Sequence, residues 1–166
     1  MRLVTMVWYY VCPDGNVANV WDNHGGTGSL GGISGFAMLK EKYCIPPLDQ
    51  GLSALLQDLS QRGLLDETLI AAFGEFGRTP KINPNAGREH WGPCQSALLA
   101  GGGIRGGQIY GSSDAQAAYP KDNPATPGDI LATMYHSLGI SADAEVFDST
   151  HRPHRVAEGR AIEELF

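Results

Sequence analysis

The apolar run Thr68-Leu69-Ile70-Ala71-Ala72-Phe73 breaks directly into Gly74-Glu75-Phe76-Gly77-Arg78-Thr79-Pro80, and Gly87-Arg88-Glu89-His90-Trp91 follows soon after. A short continuous apolar run bounded by glycine reads as a buried strand. In open α/β sheets, ligands bind in the crevice beyond the carboxyl ends of the strands. An acid, a guanidinium and an imidazole placed there point to a site. Upstream, Trp21-Asp22-Asn23-His24 follows another apolar run and adds a second acid and a second imidazole.

The 166 residues are 42% hydrophobic, enough for one core and too few for two ordinary domains. A net charge of −6, with scattered basic residues, argues against nucleic acid as a partner. No apolar stretch approaches the roughly 20 residues that cross a bilayer, so no membrane partner is expected. Cys12, Cys44 and Cys94 are odd in number and in no C-x-x-C arrangement, which gives neither a disulfide framework nor a zinc knuckle. Met1 to Val11 reads as a core strand with no preceding turn. That is the basis for expecting the C-terminal portion of a larger domain, here residues 1–166 as a single partial domain.

The stretch from Cys12 to Gly35, rich in Gly, Asn and Asp, reads as a long loop of the kind that is often functional. Pro46 and Pro47 then open a helix whose Leu48, Leu52, Leu55, Leu56 and Leu59 share a face and which stops at Gly63. With strands at Arg2–Val11 and Thr68–Phe73, the order is that of a βαβ crossover. Ser96–Ala100 reads as a further strand, Gly101–Gly107 as a bend, and Gln108–Tyr110 as a short strand. Thr126, Pro127 and Asp129 announce a capped helix that Gly139 ends, with Ile130, Leu131, Met134 and Leu138 as its core face. From Ser141 onward the chain reads as polar and irregular, with a short strand or turn in Glu158–Phe166.

Asp22 and His24 stand two apart, and in an extended segment such residues point to the same side, where a carboxylate and an imidazole can share one metal ion. An Asx-type turn beside a surface histidine is the plain alternative. Glu75 is a candidate ligand or general base, and Arg78 a fork for phosphate, sulfate or carboxylate. The two can equally pair with each other or with loop backbone. His90 is a candidate ligand, or else an imidazole stacked on Trp91. Gly101–Gly106 formally fits G-x-G-x-x-G, but a helix should start there and Gln108-Ile109-Tyr110 looks extended, so the glycines read as a bend and no nucleotide is expected. His136 falls opposite its helix's apolar face, and His151 and His154 lie in a solvated tail.

Taken together, Trp21-Asp22-Asn23-His24, Leu48-Asp49 through Leu59, Gly74 to Pro80, Gly87 to Trp91 and Leu99-Ala100-Gly101-Gly102-Gly103-Ile104 resemble the C-terminal half of the DUF1501 family, bacterial proteins related to the alkaline phosphatase and sulfatase superfamily. The resemblance covers nearly the whole chain. It implies an α/β fold, an alkaline phosphatase-like sheet flanked by helices, and a metal-dependent hydrolase of phosphate or sulfate esters acting on a small anionic substrate. Asp22, His24 and His90 are similar to the ligands of one divalent metal, zinc first, with manganese or iron as alternatives. Glu75 would be a further ligand or base, and Arg78 would offset charge on the transferred group.

Two departures accompany the resemblance. Phe76 stands where the superfamily has a second-metal histidine, and no residue here matches the nucleophile of its early strand, so the chain alone is expected to be inactive. The competing class is a non-catalytic module that binds an anion, a glycan or a partner protein on the same fold. A homo-oligomer is a further expectation, from an exposed sheet edge near Met1. A periplasmic or exported location is suspected from the family alone.

Overall fold

The computed structural model describes residues 3–8, 10–11, 17–18, 21–25, 39–40 and 44–166. Most of the predicted loop between Cys12 and Gly35 lies outside the described residues. The chain divides into two compact units, the first made of Met1–Gln57 with Phe76–Gly92 and the second of Asp58–Glu75 with Pro93–Phe166.

The architecture mixes helices with small antiparallel pairs. Strands β1 (Tyr10–Val11) and β2 (Val17–Ala18) pair antiparallel with each other, so Val17–Ala18, within the predicted loop, is a strand. Helix α1 spans Ile45–Gln61. Its leucines are half-buried while Ser53, Ala54, Gln57 and Asp58 between them are exposed, as the spacing predicts. It closes at Gly63 as expected, with Leu64 N–H donating to the Leu59 carbonyl at 2.8 Å and Gly63 N–H to that of Ser60 at 3.0 Å. This is a Schellman ending, which returns two orphan carbonyls to a donor.

The apolar N-terminal run is a correction. Residues 3–8 form no strand and are exposed, Val7 by 77% and Met6 by 73%. Apolar residues supply only half of what a strand needs; the other half is a partner edge, and residues 3–8 are paired with none among the described residues. Trp8 accepts at its carbonyl from Trp21 Nε1 (2.9 Å), and its ring lies beside Gly51.

In the second unit β3 (Ile70–Ala72) pairs antiparallel with β6 (Leu98–Ala100), Ile70 opposite Ala100. Both predicted runs are therefore strands, though shorter than expected. Every strand pair among the described residues is antiparallel, and the parallel pair of a βαβ crossover is not among them. The glycine run is a bend: Gly101 bridges to Ile104, and Gly102 N–H donates to the Leu65 carbonyl at 2.9 Å.

Gln108–Tyr110 is not a strand. Gln108 Nε2 instead donates to the carbonyls of Arg105 (3.0 Å) and Leu165 (2.8 Å), which pins this segment to the C-terminal tail by a side chain. The next strands are β7 (Ser112–Ser113) and β8 (Pro120–Asp122).

Helix α2, Pro127–Ser137, carries both halves of the predicted capping box, and Gly139 sits at φ +72°, the left-handed conformation its C-terminal stop demands. The core face is displaced from the prediction. Ala132 and Thr133 are fully buried, whereas Leu131 and Leu138 are 40% and 50% exposed. The cause is the C-terminal tail: Ile162 N–H donates to Thr133 Oγ1 at 2.9 Å, and Gly159 packs against the backbone of Gly128.

The tail is also more regular than its polarity suggests. Strands β9 (Glu145–Phe147) and β10 (Pro153–Arg155) form a hairpin, and Glu163–Leu165 is a 3-10 turn with Leu165 buried. Asp148 makes that hairpin possible by accepting the N–H groups of Thr150 (2.8 Å) and Arg152 (3.0 Å) across its turn. No helix among the described residues is long and apolar enough to cross a membrane.

Candidate functional site

In the first unit β4 (Gly77–Arg78) pairs antiparallel with β5 (His90–Trp91), placing Arg78 opposite His90. The turn between them is built on Asn83. Its Oδ1 accepts from the N–H groups of Asn85 (3.0 Å) and Gly87 (2.9 Å), the side-chain mimic of a backbone turn. The Trp21–Gly25 segment lies along this turn: Arg88 N–H donates to the Asn23 carbonyl at 2.7 Å, and Gly25 bridges to Ala86. The two distant motifs thus meet through backbone contacts.

Asp22 and His24 form an Asx-type turn, the plain alternative read from their spacing, and their side chains touch. Asp22 Oδ1 is in contact with His24 Nδ1 and also accepts from the His24 backbone N–H at 3.1 Å. Both are shielded, with the Asp22 side chain 12% exposed. Burial alone pushes the Asp22 carboxyl up. The hydrogen bonds from His24, together with the charges of His24 and Arg78, outweigh burial and hold it below the ordinary carboxylate value.

The other edge of the His24 ring, Nε2, faces Glu89 Oε2 at 3.5 Å. The His90 ring lies 4.8 Å from that of His24, centroid to centroid, and 4.1 Å from that of Phe76. The His90 ring thus packs against that of Phe76.

Arg78 is 21% exposed and largely committed to the protein. Its Nη2 donates to the Trp21 carbonyl (3.0 Å) and its Nη1 to that of Arg88 (3.4 Å), while Nη1 stands 3.5 Å from His24 Nδ1 and 3.8 Å from Asp22 Oδ1. Its charge sits in the cluster, and its hydrogen bonds hold the two motifs together. Glu75 is exposed, in the bend after β3, and belongs to the second unit.

Among the described residues no three His, Cys, Asp or Glu side chains are arranged as a formed metal site. The donor chemistry nevertheless fits a divalent cation. Both ring nitrogens of His24 face carboxylates. A neutral imidazole has one N–H and can donate to only one of them, leaving the other nitrogen's lone pair for a cation, whereas an imidazolium would donate to both. In the same tripeptide Asn23, 8% exposed, has a buried side-chain oxygen with no hydrogen-bond partner among the described residues.

The sequence reading gave Asn83 no role and named Glu89 only as part of a motif. The Asn83-Pro84 dipeptide is the signal that marks such a turn. His136 is exposed, as expected, with its ring 4.9 Å from that of Phe166, and His154 Nε2 lies 3.2 Å from Asp148 Oδ2. A cleft of about 890 Å³ in the second unit is lined by His136, Arg155 and Arg160 together with Asp143, Glu158 and Glu163. Arg155 pairs there with Asp143 at 3.2 Å, and none of the candidate site residues lines it.

Fold and site define a mixed helix-and-strand protein whose first unit gathers Asp22, His24, Arg78, Glu89 and His90. The family described as protein of unknown function (DUF1501) matches residues 2–166, and the chain belongs to it. The comparisons with curated proteins and with solved structures found no match.

Proposed function

We propose that the protein is a metal-dependent hydrolase of phosphate or sulfate esters on an alkaline phosphatase-like fold, with a divalent cation, zinc first, held by Asp22, His24 and His90. The observation that carries this reading is the convergence of half-buried Asp22 and His24 with the exposed His90, from segments 66 residues apart (90 − 24), in the first unit.

When bound, such a cation supplies Lewis-acid polarisation of the ester oxygen. The chain's own residues supply charge and positioning. Asp22, kept ionised by His24 and Arg78, provides the negative charge that draws a cation in. Arg78 places a fixed positive charge beside the site without being free to leave it, the preorganised arrangement that stabilises charge building on a transferred group. Phe76 covers one face of His90 and restricts its ring.

The test is metal content by inductively coupled plasma mass spectrometry on untagged protein beside a His24→Ala/His90→Ala double variant. About one equivalent of zinc, manganese or iron, lost in the variant, supports the site. Aryl phosphate and aryl sulfate hydrolysis by the full-length protein then identifies the ester class. A folded wild-type protein that takes up no metal from a stoichiometric excess defeats the reading.

A further inference from the structure

Glu89 is an acid in the cluster to which the reading above gives no role. We propose that Glu89 is the positioning residue of His24: it holds the Nε2–H edge of the ring, leaving Nδ1, beside Asp22, as the nitrogen that takes the divalent cation. This rests on the metal reading above.

A neutral imidazole keeps its proton on one nitrogen and offers the other as a ligand, and the hydrogen bond made by the first decides which is which. Two carboxylates compete for His24, Asp22 at Nδ1 and Glu89 at Nε2. Glu89 can decide the outcome only if its carboxylate is itself held, and Asn83 holds it. Asn83 Nδ2 donates to Glu89 Oε1 at 2.7 Å and to the His24 carbonyl at 2.9 Å, so one amide fixes the acid and the backbone that carries the imidazole.

The Glu89 backbone is tied as well. Its carbonyl accepts from Thr79 N–H at 2.9 Å and its N–H donates to Thr79 Oγ1 at 3.1 Å. That leaves Oε2 facing Nε2 at 3.5 Å, a long contact of the kind that tightens when a site is filled. The line Asn83–Glu89–His24 ends at the Asp22 edge, the order of an outer carboxylate orienting a metal-binding histidine. Loss of such a carboxylate typically weakens metal affinity by about 10–100-fold.

The experiment compares wild type, Glu89→Gln and Glu89→Ala by two measurements. The first is the ring-nitrogen NMR spectrum of His24 in metal-free, 15N-histidine-labelled protein at about pH 9, above the ordinary imidazole range. The second is zinc affinity by competition with a chromophoric chelator. The proposal expects the Nε2–H population to fall in Glu89→Ala and to persist in Glu89→Gln, whose amide oxygen still accepts. Zinc affinity should drop by about 10–100-fold in Glu89→Ala and by less in Glu89→Gln.

A Glu89 that merely anchors Asn83 would lower the unfolding midpoint of Glu89→Ala and leave ring signals and zinc affinity as in wild type, which overturns the proposal. Ring signals that follow Glu89 while no form of the protein binds zinc would show Glu89 holding Nε2. They would reject the cation at Nδ1, so that failure of the metal reading is told apart from failure of the Glu89 contact.

Discussion

Gly87 lies against His24 so closely that a Cβ on Gly87 would stand 1.9 Å from the His24 carbonyl carbon. Gly87 is buried, and its own N–H is held by Asn83 Oδ1 at 2.9 Å, so neither backbone can retreat without breaking the turn. Gly87→Ala should therefore destabilise the protein by at least the ~1–3 kcal/mol of an overpacked site, because the obstacle is backbone and not a flexible side chain. Chemical denaturation of Gly87→Ala and wild type measures it. An unchanged midpoint would show that the Trp21–Gly25 segment does not rest on this turn.

Thr133 gives a second prediction, in the other unit. Its hydroxyl donates to the Asp129 carbonyl (2.7 Å) and accepts from Ile162 N–H (2.9 Å), and the residue is fully buried. Thr133→Val keeps the volume and strands the Ile162 N–H, at a cost of about 1–3 kcal/mol for a buried donor left without a partner. Thr133→Ser keeps the hydroxyl and should lose less. Hydrogen exchange at the Ile162 amide reads the contact directly and should accelerate in Thr133→Val only.

How much of this was legible in the chain differs by element. Both described helices were, because Pro127 after Thr126, Asp129 three residues on, and glycines at 63 and 139 are local signals that act through the residues' own backbone. The fate of residues 3–8 was not, since an apolar run specifies what prefers burial and not which edge will cover it. Likewise Leu131 and Leu138 yielded the inner face of α2 to Ala132 and Thr133 because a tail 29 residues further on chose that face, a contact no helical period encodes.

At the site, Asp22 and His24 meet through the Asx-type turn that their i, i+2 spacing also allowed, with His24 N–H on Asp22 Oδ1 at 3.1 Å. Glu89 escaped notice because its contact with His24 depends on a turn built by Asn83.

The Asn83 turn supports a third prediction. Asn83→Ala removes in one step the donor to the His24 carbonyl, the donor to Glu89 and the acceptor for Asn85 and Gly87. The loss should be about 1–3 kcal/mol in stability, since part-buried groups lose partners. Asn83→Asp keeps the acceptor half of the turn but sets a carboxylate beside Glu89, so it should fold better than Asn83→Ala while disturbing the His24 ring signals more. Equal unfolding midpoints for the two variants would show that Asn83 Oδ1 contributes nothing to the turn.

Asp129 sets an acid limb whose sign can be worked out. Its carboxyl accepts from Arg160 N–H (2.8 Å) at one oxygen and from Thr126 N–H and Thr126 Oγ1 (both 2.7 Å) at the other. The Arg160 amide first, then Thr126, hold it below the ordinary value of 3.8 against a smaller upward push from burial. A carboxylate favoured in the folded state stabilises fully above the unfolded value of about 3.9 and loses that contribution as pH falls through the lower folded value. Wild type should therefore lose stability on acidification below about pH 4, and Asp129→Asn should lose less over that window while starting lower at neutral pH.

Thr126→Ala removes the capping hydroxyl and should cost about 0.5–2 kcal/mol while leaving the Arg160 bond and part of the limb in place. Asp22 and Asp148 are also held low, so the quantity to read is the difference between wild type and Asp129→Asn in urea unfolding from pH 7 downward. Parallel curves would mean that the Asp129 contacts with α2 and the tail are not maintained in solution.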